Sequence, residues 1–231
     1  MTTISKKKYN KMDPLAHILH RPDTYVGSTR SRELDEYISI ADKNFQIYKK
    51  LIVYSPAILR IFIEPLSNAI DNVSRSQNTK TPCTTIKVKV DIKSGSTSVW
   101  NDGDCISVEY DDENKCYNHS LIFGQLLTSS NYDDDEDRYN ISGRNGIGIK
   151  ACNVFSEYFS VHGIDPVNKK SFFQEWTDNM KKINEPEIGP TKLKKGSTEV
   201  SWIPDFKQFN ILRCSVINNR IGLFTQHKKT R

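Results

Sequence analysis

The segment from Pro56 to Arg75 constrains the chain more than any other, because it reads as one long amphipathic helix that needs a surface to cover. At about 100° per residue, Leu59, Phe62, Leu66, Ala69, Ile70 and Val73 fall on one side, while Glu64, Asn68, Asp71 and Arg75 line up on the other. Ser55 stands where an N-cap belongs, and Pro56 suits a first turn in which its missing amide would have had no partner anyway. Beyond the helix, Ile86, Val88, Val90 and Ile92 alternate with Lys87, Lys89, Asp91 and Lys93, the period of a strand with one buried face. Ser94-Gly95 turns this strand back into Thr97-Ser98-Val99-Trp100. The β-branched and aromatic run from Phe45 to Tyr54 predicts another strand, as do Tyr158 to His162, Phe172 to Thr177 and Ser197 to Ile203. Residues 1–33 are polar and basic, punctuated by Pro14, Pro22 and Gly27, and are expected to form an extended arm with a short helix near Leu15 to Leu19. With no internal repeat and no Gly/Ser linker, these elements predict a single α+β domain whose helices gather on a mostly antiparallel sheet.

Composition removes several classes of function. Hydrophobic residues make up 36% and charged residues 26% of 231, ordinary globular usage at a length that supports a core without staples. A net charge of +5 permits contact with nucleic acid without arguing for it. Basic clusters at Lys6 to Lys8, Lys192 to Lys195 and His227 to Arg231 could each meet phosphates, although each taken singly reads as solvated surface. Five cysteines, none spaced Cys-x-x-Cys, suit neither a disulfide framework nor a zinc site and fit a reducing, intracellular compartment. The start of the chain lacks the apolar core of a secretory signal and no apolar run reaches bilayer length, so membrane insertion is not expected.

Three segments carry chemistry. On the helix, Glu64 and Asn68 stand one turn apart and offer a base for an attacking water beside an uncharged oxygen that can ligate Mg²⁺. A solvated polar face is the competing reading, and the residue types in the stripe favour the functional one. Pro65 deletes a backbone donor next to that base, so a kink or loosening is expected there. The second segment, Gly143-Arg-Asn-Gly-Ile-Gly-Ile-Lys150, has three glycines in six residues running into an apolar helix, which lets backbone amides approach phosphate closely. It matches neither a P-loop nor a Rossmann fingerprint, and a plain surface loop is its bland alternative. The third, Trp100-Asn101-Asp102-Gly103-Asp104, is an ordinary hairpin end when read alone.

Taken in chain order, the three segments resemble the N, G1 and G2 boxes of the GHKL ATPases. The stretch Leu121-Ile-Phe-Gly-Gln-Leu-Leu-Thr-Ser-Ser-Asn-Tyr-Asp-Asp-Asp-Glu136, followed by Gly143 to Lys150, is similar more narrowly to eukaryotic-type DNA topoisomerase II. His17-Ile-Leu-His-Arg-Pro-Asp-Thr-Tyr-Val-Gly27 and Phe173 to Met180 extend the likeness over nearly the whole chain, fading after about Phe206. The resemblance implies the GHKL (Bergerat) two-layer α/β sandwich, with a mixed, mostly antiparallel sheet and helices on one face. It implies ATP and Mg²⁺ as cofactors, an N-terminal arm over residues 1–33 exchanged in an ATP-bound homodimer, and a nucleotide-binding domain over residues 34–231. By the same resemblance Glu64 would be the general base and Asn68 the Mg²⁺ ligand, with Asn72 and Arg75 beside the nucleotide. Asn101 would hydrogen-bond adenine with Asp102 next to it, and Ser129, Ser130 and Asn131 would contact ribose and phosphate. Gly143, Arg144, Asn145, Gly146, Ile147, Gly148, Ile149 and Lys150 would wrap the triphosphate, and Tyr25 would reach the nucleotide of the partner subunit. The acidic run Asp133 to Asp137 is expected to be a solvated lid segment.

The family's enzymes add a transducer and a DNA-cleaving core, which are expected to lie outside these 231 residues, so slow ATP hydrolysis and no DNA cleavage are expected of the chain. Double-stranded DNA is the implied partner of the whole enzyme. Departures include Cys105, where the family turn usually carries a second glycine, so the backbone there should avoid positive φ. With Pro65 and a short loop before Phe172, this suggests a divergent member such as that of a large DNA virus, acting in the host cytoplasm or else in the nucleus. A chaperone or mismatch-repair GHKL protein would share Glu64, Asn68 and Gly146 to Gly148 but should lack Leu127 to Tyr132, and a nucleotide-free scaffold would bind no ATP analogue.

Overall fold

A computed structural model describes residues 12–40, 46–126, 147–209 and 211. The elements in chain order are α1 (Pro14–His20), α2 (Pro22–Tyr25), β1 (Arg32–Ile40), β2 (Gln46–Tyr54), α3 (Pro56–Ser76), β3 (Ile86–Val90), β4 (Thr97–Asp102), β5 (Tyr110–Asp111), β6 (Cys116–Tyr117) and α4 (Asn118–Gly124). They continue with α5 (Gly148–Val154), β7 (Ser156–Asp165), β8 (Lys170–Thr177), β9 (Lys182–Ile183), β10 (Glu187–Pro190) and β11 (Ser197–Pro204). The main sheet runs β10-β8-β7-β11-β4-β3, with β9 added beside β8. All its described pairings are antiparallel, where a partly mixed sheet was expected.

Strand alternation sorts this sheet into two faces. Thr97, Val99 and Asn101 of β4 lie opposite Trp202, Val200 and Thr198 of β11, and this face receives the helices, since Trp202 meets Phe62 of α3 at 6.2 Å between ring centres. Phe159, Val161 and Trp176 complete the core below α4 and α5. The other face carries Ser98, Trp100 and Asp102, with the Lys87 ammonium 4.7 Å from the Trp100 ring centre.

Two expectations about burial are reversed. The ridge that α3 buries is Ala57, Ile61, Pro65, Ala69, Asp71, Asn72 and Ser76, whereas Leu59, Ile70 and Val73, expected inside, are exposed. Residues spaced by four form one ridge of a helix, and the small members of this one allow close packing on α5. Helix α3 runs through Pro65 as one assigned element, with the proline ring buried, so no break replaces the expected loosening. The alternating strand β3 likewise has no buried face: Val88, Val90 and Ile92 are exposed, because β3 is the outermost strand. The arm is also less separate than expected. Ile18 of α1 and Val26 after α2 are buried in the common core, and the Ser28 carbonyl accepts hydrogen bonds from the Ala57 amide and the Ser55 hydroxyl.

His119 opens α4 fully buried, stacked on Phe172 at 4.4 Å and 13°. Gly163 faces it, and a Cβ there would overlap the imidazole. Neither ring nitrogen has a hydrogen-bond partner among the described residues. Burial pushes its pKa down to about 4, with the Asp165 carboxylate opposing that shift and His162 adding to it. The folded protein therefore holds His119 neutral where the unfolded chain, titrating near the usual 6.5, takes up a proton. Stability should fall as pH drops from about 6.5 to about 4, by up to roughly 3 kcal/mol from this residue. Urea unfolding of the wild type and of H119F across that range checks this: the variant should lose that part of the acid dependence, and parallel curves would contradict it.

Candidate functional site

Helices α3 and α5 meet where the sequence placed its two strongest motifs. The Glu64 side chain is only 14% exposed, and its Oε1 is 2.5 Å from the Nε of Arg60, one turn earlier on the same helix. Its other oxygen lies against the first residue of α5, so close that a Cβ built on Gly148 would overlap the carboxylate. Only glycine admits the acid there. Burial raises the Glu64 carboxyl above the ordinary glutamate range, Arg60 draws it back, and the Asp71 carboxylate adds to the rise.

The remaining glycine-segment residues divide by role. Ile149 is buried in the hydrophobic core, so its side chain serves packing and only its backbone can face a ligand. Lys150 is 1% exposed, and desolvation lowers its ammonium to about 8. Ile147 packs at the core margin. Gly143, Arg144, Asn145 and Gly146 lie outside the described residues, as do Ser129, Ser130, Asn131 and the acidic run Asp133 to Asp137.

Along α3, Asn68 is half-buried on the turn after Glu64, and Asn72 is buried. The Asn72 Nδ2 donates to the Asp104 carbonyl at 2.9 Å, which ties the helix to the loop after β4. The Thr81 hydroxyl donates to the Asp104 carboxylate, and Ser76 bridges the same region by donating to the Asn72 carbonyl at 2.6 Å and accepting from the Cys83 amide at 2.8 Å. Arg75 is exposed on the last turn. In the loop, Gly103 has φ of 104° and packs on the Cys83 backbone, whereas Cys105 is not among the described residues with positive φ, as its Cβ requires.

The strands and the arm give Asp102 and Tyr25 their surroundings and add Thr198. Asn101 and Asp102 are consecutive on a strand and therefore face opposite ways. Asn101 shares the helix-side face with Val99, and the Asp102 carboxylate is turned to the reverse face, where Thr84, Thr85 and Lys195 supply its donors. Tyr25 packs partly against the chain's own core, with its hydroxyl 2.9 Å from the His17 Nδ1. Thr198, which local patterning missed, is the direct cross-strand neighbour of Asn101 and puts a hydroxyl on the same face. Only the pairing of β11 with β4, a relation between residues almost a hundred positions apart, could have pointed to it.

Glu64, Asn68, Asn101, Thr198 and Gly148 thus all come from the side of the sheet that the helices cover. Among the described residues no group of three His, Cys, Asp or Glu side chains is gathered as a metal site, and no helix is long and apolar enough to cross a membrane.

No protein-family model matches the chain. It is 41% identical over 236 residues to the DNA topoisomerase 2 of Invertebrate iridescent virus 6, covering 98% of this chain and 20% of that protein. It is 40% identical over 212 residues to the DNA topoisomerase 2 of Acanthamoeba polyphaga mimivirus, covering 90% of this chain and 16% of that one. The chain therefore spans 20% or less of the length of these curated relatives. Among solved structures, the ATPase region of Saccharomyces cerevisiae topoisomerase II matches with a TM-score of 0.82 at 36% identity, over 87% of this chain and 52% of that one. The 43K ATPase domain of Thermus thermophilus gyrase B matches with a TM-score of 0.59 at 21% identity, over 86% of this chain and 41% of that one, a likeness of fold. With close sequence relatives and a shared GHKL fold over the same residues, the chain belongs to the eukaryotic-type DNA topoisomerase II family, within its N-terminal ATPase region.

Proposed function

We propose that this chain is the ATP-binding and ATP-hydrolysing N-gate domain of a type II DNA topoisomerase, in which Mg-ATP drives dimerisation through the N-terminal arm and so captures a DNA duplex for strand passage. The observation that carries the proposal is the contact between the Glu64 carboxylate and Gly148. A buried carboxylate pressed against glycine backbone is costly for folding alone and useful where an acid must face a phosphate chain across a short gap. The relatives' ATPase regions support the choice of ATP. The likeness to DNA topoisomerase 2 over 90% or more of the chain favours the strand-passage enzyme over a chaperone or mismatch-repair protein.

In this account Glu64 takes the proton of the attacking water, and burial tunes its carboxyl toward neutral pH. Asn68 supplies an oxygen to Mg²⁺, which neutralises phosphate charge when bound, and a single protein ligand shared with phosphate oxygens is ordinary for this ion. Lys150 and the segment from Gly143 to Ile149 surround the phosphates, with Ser129, Ser130 and Asn131 toward the ribose and Asn72 and Arg75 at the far end of the helix. Asn101 and Thr198 meet the adenine edge. Compartment follows from the host of the enzyme: the cytoplasm for a viral protein, the nucleus otherwise.

E64A should keep binding Mg-ATP while single-turnover phosphate release by the 231-residue chain falls by roughly 10²-fold or more. N68A should instead weaken Mg-ATP binding itself, and equal loss of both properties in both variants would contradict the assigned roles. G148A places a methyl where the acid sits and should lower phosphate release about as far as E64A does, again roughly 10²-fold. Turnover near wild type in G148A would show that the contact has no part in hydrolysis.

A further inference from the structure

Behind the cleft, on the sheet face that the helices do not cover, Asp102 gathers four donors. Its carboxylate accepts from the Thr84 amide at 2.7 Å, the Thr85 amide at 2.8 Å, the Thr84 hydroxyl at 2.9 Å and the Lys195 ammonium at 2.6 Å. The same Lys195 nitrogen donates to the Thr84 hydroxyl at 2.9 Å, which closes a triangle. The Asp102 side chain is 9% exposed and that of Lys195 48%, so the acid is nearly enclosed and the lysine covers it from outside. These hydrogen bonds hold the Asp102 carboxyl far below the usual carboxylate range against the opposing effect of burial, and it remains an anion.

The acceptor and its donors come from three neighbouring chain segments. Thr84 and Thr85 lead into β3, Asp102 ends β4, and Lys195 stands just before β11. Two backbone features tighten the same corner: the Gly103 amide donates to the Gly196 carbonyl at 3.1 Å, and a Cβ on Gly196 would come within 2.6 Å of the Gly103 oxygen. On the opposite face, one residue along each strand from the paired Asp102 and Ser197, stand Asn101 and Thr198. Lys195 stands two residues before Ser197, the strand partner of Asp102, so a change in the spacing of β4 and β11 at this corner is also a change in the spacing of the Asn101 amide and the Thr198 hydroxyl on the helix-covered face.

We propose that Asp102 and Lys195 are positioning residues for nucleobase recognition, setting from behind the sheet the separation at which Asn101 and Thr198 read the base. The inference rests on the nucleotide reading above and adds to it what fixes the choice of base. Neither residue touches the nucleotide, so neither governs phosphate binding. Two polar groups discriminate between purine edges only if their separation is held, because a mispaired buried donor or acceptor is penalised and a mobile pair adjusts to either base.

The test compares dissociation constants of a nonhydrolysable ATP analogue, the corresponding GTP analogue and inorganic tripolyphosphate for the wild type, K195M, K195R, D102A and N101A, with thermal unfolding of each. K195M should weaken the ATP analogue several-fold and D102A about tenfold, both reducing the preference for adenine over guanine, while tripolyphosphate binding stays within about twofold. K195R should restore most of the preference. Equal weakening of all three ligands, or an unchanged adenine preference in K195M, overturns the proposal, and K195M decides alone if D102A does not fold. N101A separates the two levels: if it leaves ATP-analogue binding intact, the base-reading role itself fails, whereas a weakened N101A beside an unchanged K195M removes only the positioning pair.

Discussion

The close packing of α3 on α5 is the contact on which the rest of the site depends. Ala57, Ile61, Pro65 and Ala69 form a ridge that sinks into the core, and this ridge carries Glu64 to within overlap of Gly148. A larger residue on the ridge would lift the helix away. A side chain at 148 would displace the acid. Sequence choices made for packing therefore also set the distance between the Glu64 carboxylate and the Gly148 backbone. The Asn72, Ser76 and Thr81 bonds then hold the far end of α3 to the loop after β4, so the helix is fixed at both ends of the cleft.

The sheet contributes in a different way. Its antiparallel pairing brings Asn101 and Thr198 side by side although almost a hundred residues separate them in the chain. Alternation sends their neighbours Asp102 and Ser197 to the opposite face, where the Lys195 contact occupies the acid. One face of the same two strands thus carries Asn101 and Thr198 while the other carries the contact between Asp102 and Lys195. The buried His119 is a separate matter: it belongs to the packing of α4 on β7 and β8 and lies outside the proposed chemistry.

Local patterns disclosed much of this. Ser55 and Pro56 marked the start of α3, Ser94-Gly95 marked the turn before β4, and alternation marked β3, because each depends on residues close in sequence. Which stripe of α3 goes inside was not legible, since a helix with small residues on one side and large apolar ones on another offers two surfaces to the core. Nor could the exposure of Val88 and Val90 be foreseen, because a strand's rank in its sheet is settled by distant partners. The face of Asp102 and the pairing of Thr198 with Asn101 were not legible for the same reason: strand parity is local, but which face meets the helices and which strand lies alongside are not. The contact between His17 and Tyr25 was not legible either, because it forms between two short helices whose angle no periodicity reveals.

The central claim is that the Glu64 and Gly148 junction borders a metal-nucleotide site. The most direct measurement adds Mn²⁺ with a nonhydrolysable ATP analogue to the isotopically labelled chain and maps paramagnetic broadening of its NMR signals. Strong broadening of the Asn68 side-chain amide and the Gly148 backbone amide, absent with Mg²⁺, is the predicted result. Broadening confined to residues away from α3 and α5, or none at all at saturating nucleotide, would contradict the account.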